Sequence, residues 1–186
     1  MKPLRIASLL LSVLLVLVSW GSSPAAAESS ETEGRVRDRP ARVLSFNIHH
    51  GQGLDGNLDL QRIADVIKTS DADIVGLQEV DKGWSRSDFV DQTTWLAETL
   101  DMRAVFGANL DLEPENPGES RREYGTAILT KRPILEWDNT LLPLIGGEQR
   151  GLLRVRVAVR GVPVKVYNTH LEHSNVEERS AQIAAI

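Results

Sequence analysis

The sequence predicts an α/β fold, and three observations carry that prediction. Short apolar runs of strand type alternate along the chain with segments of helical apolar spacing. Polar residues collect at the ends of the strand-type runs, where layered α/β proteins build their sites. Hydrophobic residues make up 41% and charged residues 25% of the 186, the balance of a globular chain with a real core.

Residues 43–48 form the first strand-type run. Residues 57–69 place Leu60, Ile63, Ala64 and Ile67 on one helical face, with Asn57 or Asp59 as the cap. Residues 73–80 read as a second strand, apolar at Ile74, Val75 and Leu77. Residues 92–100 read as a helix with Trp95, Leu96 and Leu100 on one side, and 102–106 as a short strand. Residues 112–122 hold two prolines and several charges and read as a loop. Residues 124–130 and 134–142 are strands about the turn Lys131-Arg132-Pro133. Residues 152–159 alternate, with Leu153, Val155, Val157 and Val159 on one face and arginines on the other. Gly161-Val162-Pro163 turns the chain, and 164–171 returns as the second strand of a hairpin. Residues 176–186 begin an amphipathic helix that reaches Ile186 without a C-cap, so we expect the domain to be truncated there.

Composition narrows the function. There is no cysteine, which excludes a disulfide scaffold and a thiolate zinc site. Acidic residues outnumber basic ones 26 to 21, for a net charge of −5. That balance argues against an extended basic surface for nucleic acid, although Arg121, Arg122, Lys131 and Arg132 offer a local patch.

The first 27 residues read as a secretory signal peptide. Lys2 and Arg5 supply a positive start, residues 9–18 are apolar except for Ser12, and Ala25 and Ala27 occupy an A-x-A cleavage site. The apolar run is shorter than the ~20 residues a spanning helix needs, so cleavage near Ala27 and secretion are expected. Loss of Lys2 and Arg5 then takes the net charge from −5 to −7. Residues 28–41 read as a flexible leader, and 42–186 as one domain.

The strand-end residues share one chemistry. Asn47 closes the first strand, Glu79 the second, and Asn168 and His170 the last. Glu123 precedes the strand that starts at Tyr124, and Arg150 precedes the strand that starts at Leu152. A carboxylate and a side-chain carbonyl are hard oxygen ligands for Mg2+ or Mn2+. Such a cation neutralises a phosphoryl oxygen, a histidine donates to the phosphate, and an arginine grips it bidentately. A glutamate beside the histidine orients its ring and raises its pKa. Singly, each residue is more often a turn, cap or surface group; the set in this order is specific.

The segments Leu44-Ser45-Phe46-Asn47-Ile48, Ile74-Val75-Gly76-Leu77-Gln78-Glu79-Val80, Tyr124-Gly125-Thr126-Ala127-Ile128-Leu129-Thr130 and Asn168-Thr169-His170-Leu171 resemble the endonuclease/exonuclease/phosphatase superfamily. That group includes deoxyribonucleases, apurinic-site endonucleases, sphingomyelinases and inositol-phosphate 5-phosphatases. The resemblance implies a four-layer α/β/β/α sandwich with two packed mixed sheets. It implies Glu79 as metal ligand with Asn47 beside the metal, His170 as a catalytic histidine, Glu123 as its acidic partner, and Arg150 as a phosphate contact. Asn168 joins Arg150 as a candidate phosphate-binding residue, although the resemblance gives no firm role to Asn168, His49 or His50.

The superfamily continues with a Gly-Asp-x-Asn and then a Ser-Asp-His element, and neither follows His170 here. The expected activity is therefore metal-dependent hydrolysis of a phosphate ester, impaired in these 186 residues. A small phosphodiester, a lipid head group or a nucleic acid all fit as substrate. No obligate protein partner is expected, and the complete protein is expected to be a monomer. The alternative is a non-catalytic relic or a module that binds phosphate or an extracellular partner.

Overall fold

The computed structural model describes residues 40–186. The expected signal peptide and residues 28–39 of the expected leader lie outside the described residues. The order of elements is β1 (Val43–Asn47), α1 (Leu60–Ser70), β2 (Ile74–Lys82), α2 (Gln92–Leu100), β3 (Arg103–Leu112), β4 (Arg122–Thr130), β5 (Ile134–Leu141), β6 (Gly151–Val159), β7 (Val162–Thr169) and α3 (Val176–Ala184).

Two sheets result. The first has the order β1-β2-β4-β3, with β1 and β2 parallel and the other pairs antiparallel. The second has the order β5-β6-β7 and is antiparallel throughout. The expectation of two mixed sheets thus holds for the first and is corrected for the second. Each link in the second is a direct reversal of the chain, which permits only antiparallel neighbours.

Each helix starts where a short polar side chain satisfies a free backbone N–H. Asp59 accepts from the amide of Arg62, Asp91 from that of Thr94, and Asn175 from that of Glu178. Of the two candidate caps for α1, the structure uses Asp59. Ile63, Ala64 and Ile67 of α1 and Leu96 of α2 bury against Val75, Leu77, Val80, Ala127 and Leu129 of the first sheet. On its other face, Ile74, Val105 and Ile128 meet Leu153, Val155 and Val157 of the second sheet. Strand β4 feeds both interfaces, since Ala127 and Leu129 face the helices and Ile128 faces the second sheet. Helices α1 and α2, the mixed sheet and the antiparallel sheet therefore stack in that order.

Several strand boundaries differ from expectation, most of all at β3 and at the last hairpin. β3 runs to Leu112 rather than Phe106, because it stays paired with β4 as far as Leu112 opposite Arg122. The hairpin turn falls at Arg160 and Gly161, both at positive φ (53° and 79°), so Val162 and Pro163 belong to β7. Proline is tolerated there because β7 is the edge strand of its sheet among the described residues.

Candidate active site

The parallel pairing of β1 and β2 sets Asn47 opposite Gln78, so the two strands end together. Glu79 follows at a bulge where the β2–β4 register shifts between Leu77 and Val80. Its φ is 58°, in the left-handed region. The extra residue lets Leu77 and Val80 both enter the helix-side core, which strict alternation forbids. The Glu79 carboxylate is left at the strand ends, half-buried.

There it gathers partners. Asn47 Nδ2 donates to Glu79 Oε1 at 2.7 Å, and His170 Nε2 lies 3.4 Å from the same oxygen. Asn47 Oδ1 accepts from the amide of His49 at 3.0 Å. Asn47, His49, Gln52 and Glu79 line one cleft of about 510 Å3. The expected metal residues Asn47 and Glu79 and the expected catalytic His170 are thus brought together by strands from both sheets.

Arg150 is buried at 5% exposure. Its guanidinium reaches Glu148 at 2.8 Å and Glu172 at 3.5 Å, and its Nε has no partner. Burial, and then the nearby Arg150 charge, lower the pKa of His170 below its ordinary value. Glu79 opposes that shift without reversing it. His170 is accordingly neutral near pH 7. Tyr124, 8% exposed, sits in the same field: burial and then the Glu79 charge raise the pKa of its phenol.

Two expected roles are corrected. Glu123 does not partner His170; it pairs with Lys82 Nζ at 2.7 Å. The two residues stand directly opposite in the β2–β4 ladder, where side chains share a face. Its backbone carbonyl also accepts from Trp84 Nε1. The carboxylate beside His170 is Glu79 instead, and the net shift of the imidazole is downward, opposite to the expectation.

Asn168 is not free to hold phosphate. Its Nδ2 donates to the carbonyls of Leu77 and Ala127 at 2.8 and 2.9 Å, and its Oδ1 accepts from Gln78 Nε2 at 2.6 Å. It is 7% exposed and ties β7 to the first sheet. It touches Gly76 so closely that a Cβ there would lie 3.1 Å from its Cγ.

Other site neighbours escaped the sequence reading. Tyr124 was visible only as the start of a strand, although alternation with Thr126 and Ile128 puts it on the face toward the second sheet. Glu148 and Glu172 hold Arg150, and nothing in their spacing announces it. Gln92, fully buried at the start of α2, donates to the carbonyl of His50 at 2.7 Å and accepts from the amide of Asp81 at 3.0 Å. It pins the turn His49–Gly51 against β2.

Carboxylate and amide oxygens suit Mg2+ or Mn2+, and the half-buried Glu79 faces a cleft that solvent can enter. The donor set therefore fits a hard divalent cation held by Glu79 and Asn47.

The chain is 29% identical over 161 residues to the uncharacterized protein YbhP of Escherichia coli strain K12, covering 78% of this chain and 58% of that protein. A crystal structure of an endonuclease/exonuclease/phosphatase from Beutenbergia cavernae superposes with a TM-score of 0.63 at 29% identity, covering 78% of this chain and 42% of that one. The fold is also shared with D. rerio TDP2 complexed with single strand DNA product, at a TM-score of 0.56 and 17% identity, over 78% of this chain and 52% of that one. The chain thus spans about half the length of these relatives. The sequence profile of one family matches residues 44–185, nearly all of the described chain, and the chain belongs to that endonuclease/exonuclease/phosphatase family.

Proposed function

We propose that the protein is a secreted, metal-dependent hydrolase of phosphate esters, and that these residues are the N-terminal portion of its four-layer α/β/β/α domain. The convergence of Asn47 and His170 on one carboxylate oxygen of Glu79 carries the reading. Glu79 and Asn47 would hold Mg2+ or Mn2+, which would supply neutralising charge for a phosphoryl oxygen. Glu79 supplies the anionic ligand, and Asn47 holds that carboxylate in place. Neutral His170 donates a hydrogen bond to a phosphoryl oxygen as charge develops. Arg150, buried and held from behind by Glu148 and Glu172, contacts a second phosphoryl oxygen.

The substrate is a phosphate ester: a small phosphodiester, a lipid head group or nucleic acid. The acidic balance of the chain favours a compact ester over a long duplex, since duplex binding draws on many basic contacts. No Gly-Asp-x-Asn or Ser-Asp-His element follows His170, and removal of an activating base typically costs ~10²–10⁴-fold. The 186-residue chain is therefore expected to bind Mg2+ yet turn over bis(p-nitrophenyl) phosphate barely or not at all.

Calorimetry with Mg2+ and with Mn2+ tests the metal reading. Glu79→Ala should weaken binding roughly tenfold or more, the scale on which site residues act on metal affinity. Equal affinity in the variant would falsify it. Robust turnover by the 186-residue chain, lost in Glu79→Ala, would sink the claim that this portion is impaired.

A further inference from the structure

We propose that His49 and His50 join Glu79 as ligands, so that this site takes a transition-metal divalent cation such as Mn2+ or Zn2+ through imidazole nitrogen as well as carboxylate oxygen. The inference rests on the metal-dependent reading above and adds ligands that reading does not use.

The geometry is specific. One ligand atom from each of His49, His50 and Glu79 lies within 4.8 Å of the other two. Three ligand atoms that share a cation at about 2.1 Å stand roughly 3.0–3.6 Å apart, so the cage closes with about 1–2 Å of side-chain movement.

Successive residues do not ordinarily meet in this way. In a strand their side chains point to opposite faces. Here His49 and His50 both adopt positive φ (47° and 45°), and their ring centroids stand 4.4 Å apart. A left-handed backbone is disfavoured at a residue other than glycine, because Cβ crowds the following carbonyl oxygen. The surroundings hold it: the amide of His49 donates to Asn47 Oδ1, and the carbonyl of His50 accepts from buried Gln92.

A second observation concerns the ring of His49. Its Nδ1 lies 3.3 Å from the carbonyl oxygen of Gln52. A carbonyl only accepts, so Nδ1 carries the proton and Nε2 keeps the lone pair. Metal-ligating histidines are oriented in this manner, by a backbone carbonyl on the other ring nitrogen. His49 is exposed and lines the same cleft as Glu79, so a cation has an entry path. Two imidazoles and one carboxylate favour Zn2+ and Mn2+ over Mg2+, which takes oxygen.

The test is electron spin echo envelope modulation of Mn2+ added to the 186-residue protein, freed of any histidine tag. The expected spectrum shows imidazole nitrogen modulation. Modulation should vanish in His49→Asn/His50→Asn, where asparagine tolerates the positive φ, and should survive in His170→Gln. Far-UV circular dichroism checks that each variant is folded. Mn2+ bound in a Glu79-dependent way but without nitrogen modulation overturns the histidine ligands and leaves the carboxylate metal site standing. Modulation lost in His170→Gln instead assigns the nitrogen elsewhere and overturns the proposal. Failure of the unmodified chain to bind Mn2+ overturns both readings. The unmodified chain alone decides the first and third outcomes, whatever the variants do.

Discussion

Glu79 carries a left-handed backbone, φ 58°, within a strand. The bulge that imposes it turns the carboxylate to the strand ends while Leu77 and Val80 on either side stay fully buried. Strain of this kind persists only where the surroundings over-determine it. Asn168 is one such surrounding group. It holds the backbone carbonyl of Leu77 and the side-chain Nε2 of Gln78, the two residues before Glu79, and the carbonyl of Ala127. Asn168→Ala leaves those three polar groups without these partners. We expect a loss of about 3 kcal/mol in urea unfolding, given about 1–3 kcal/mol for each buried group left unpaired. A loss below about 1 kcal/mol would show that the tether is dispensable.

At the scale of elements, the antiparallel pair β3–β4 is built on a close approach of two backbones. A Cβ on Gly125 would lie 2.0 Å from the carbonyl oxygen of Gly107 and 3.1 Å from the Cα of Ala108. The obstacle is backbone, which cannot rotate away as a side chain does. Gly125→Ala is expected to destabilise the chain by about 2–3 kcal/mol, the upper part of the overpacking range, and to lower the thermal midpoint. An unchanged melting curve would contradict the observed register at the β3 bulge between Ala108 and Leu110. The element that supports Arg150 is less obvious from sequence. Buried Glu178 in α3 accepts from the amides of Ile145 and Gly147, and Gln182 donates to the carbonyl of Pro143. The helix thereby shapes the loop that leads to Arg150 in the candidate site.

At the scale of the whole molecule, that support depends on pH. Glu172 is 3% exposed. The hydroxyl and then the amide of Ser174 hold its pKa at about 2, against an ordinary 4.5, with Arg150 a lesser cause. A carboxylate whose folded pKa is depressed stabilises the native state fully above its unfolded pKa. That contribution is lost as the pH falls through the interval from 4.5 to about 2. Urea midpoints measured across this interval should fall with pH in the unmodified chain more steeply than in Glu172→Gln. The difference between the two should be largest above pH 4.5 and shrink toward pH 2. Parallel curves would show that Glu172 does not titrate as a stabilising group.

Periodicity alone determined the class, the alternation of elements and the helical faces, because burial of one face imposes a repeat that local sequence must obey. The cap of α1 was legible as one of two residues, Asn57 or Asp59, and Asp59 is the one that satisfies a backbone donor three residues away. Asn47, Glu79 and His170 were legible as strand ends that meet. What each side chain touches was decided by register and by contacts far apart in sequence. Glu123 went to Lys82 because the β2–β4 ladder sets them opposite, 41 residues apart. Asn168 went to Leu77 across 91 residues, and Arg150 to Glu172 across 22. The near-contact of His49 and His50 needed a left-handed turn that Gln92 clamps from 42 residues away. Local pattern dictates which face a residue occupies; only the packed sheets decide which partner waits there.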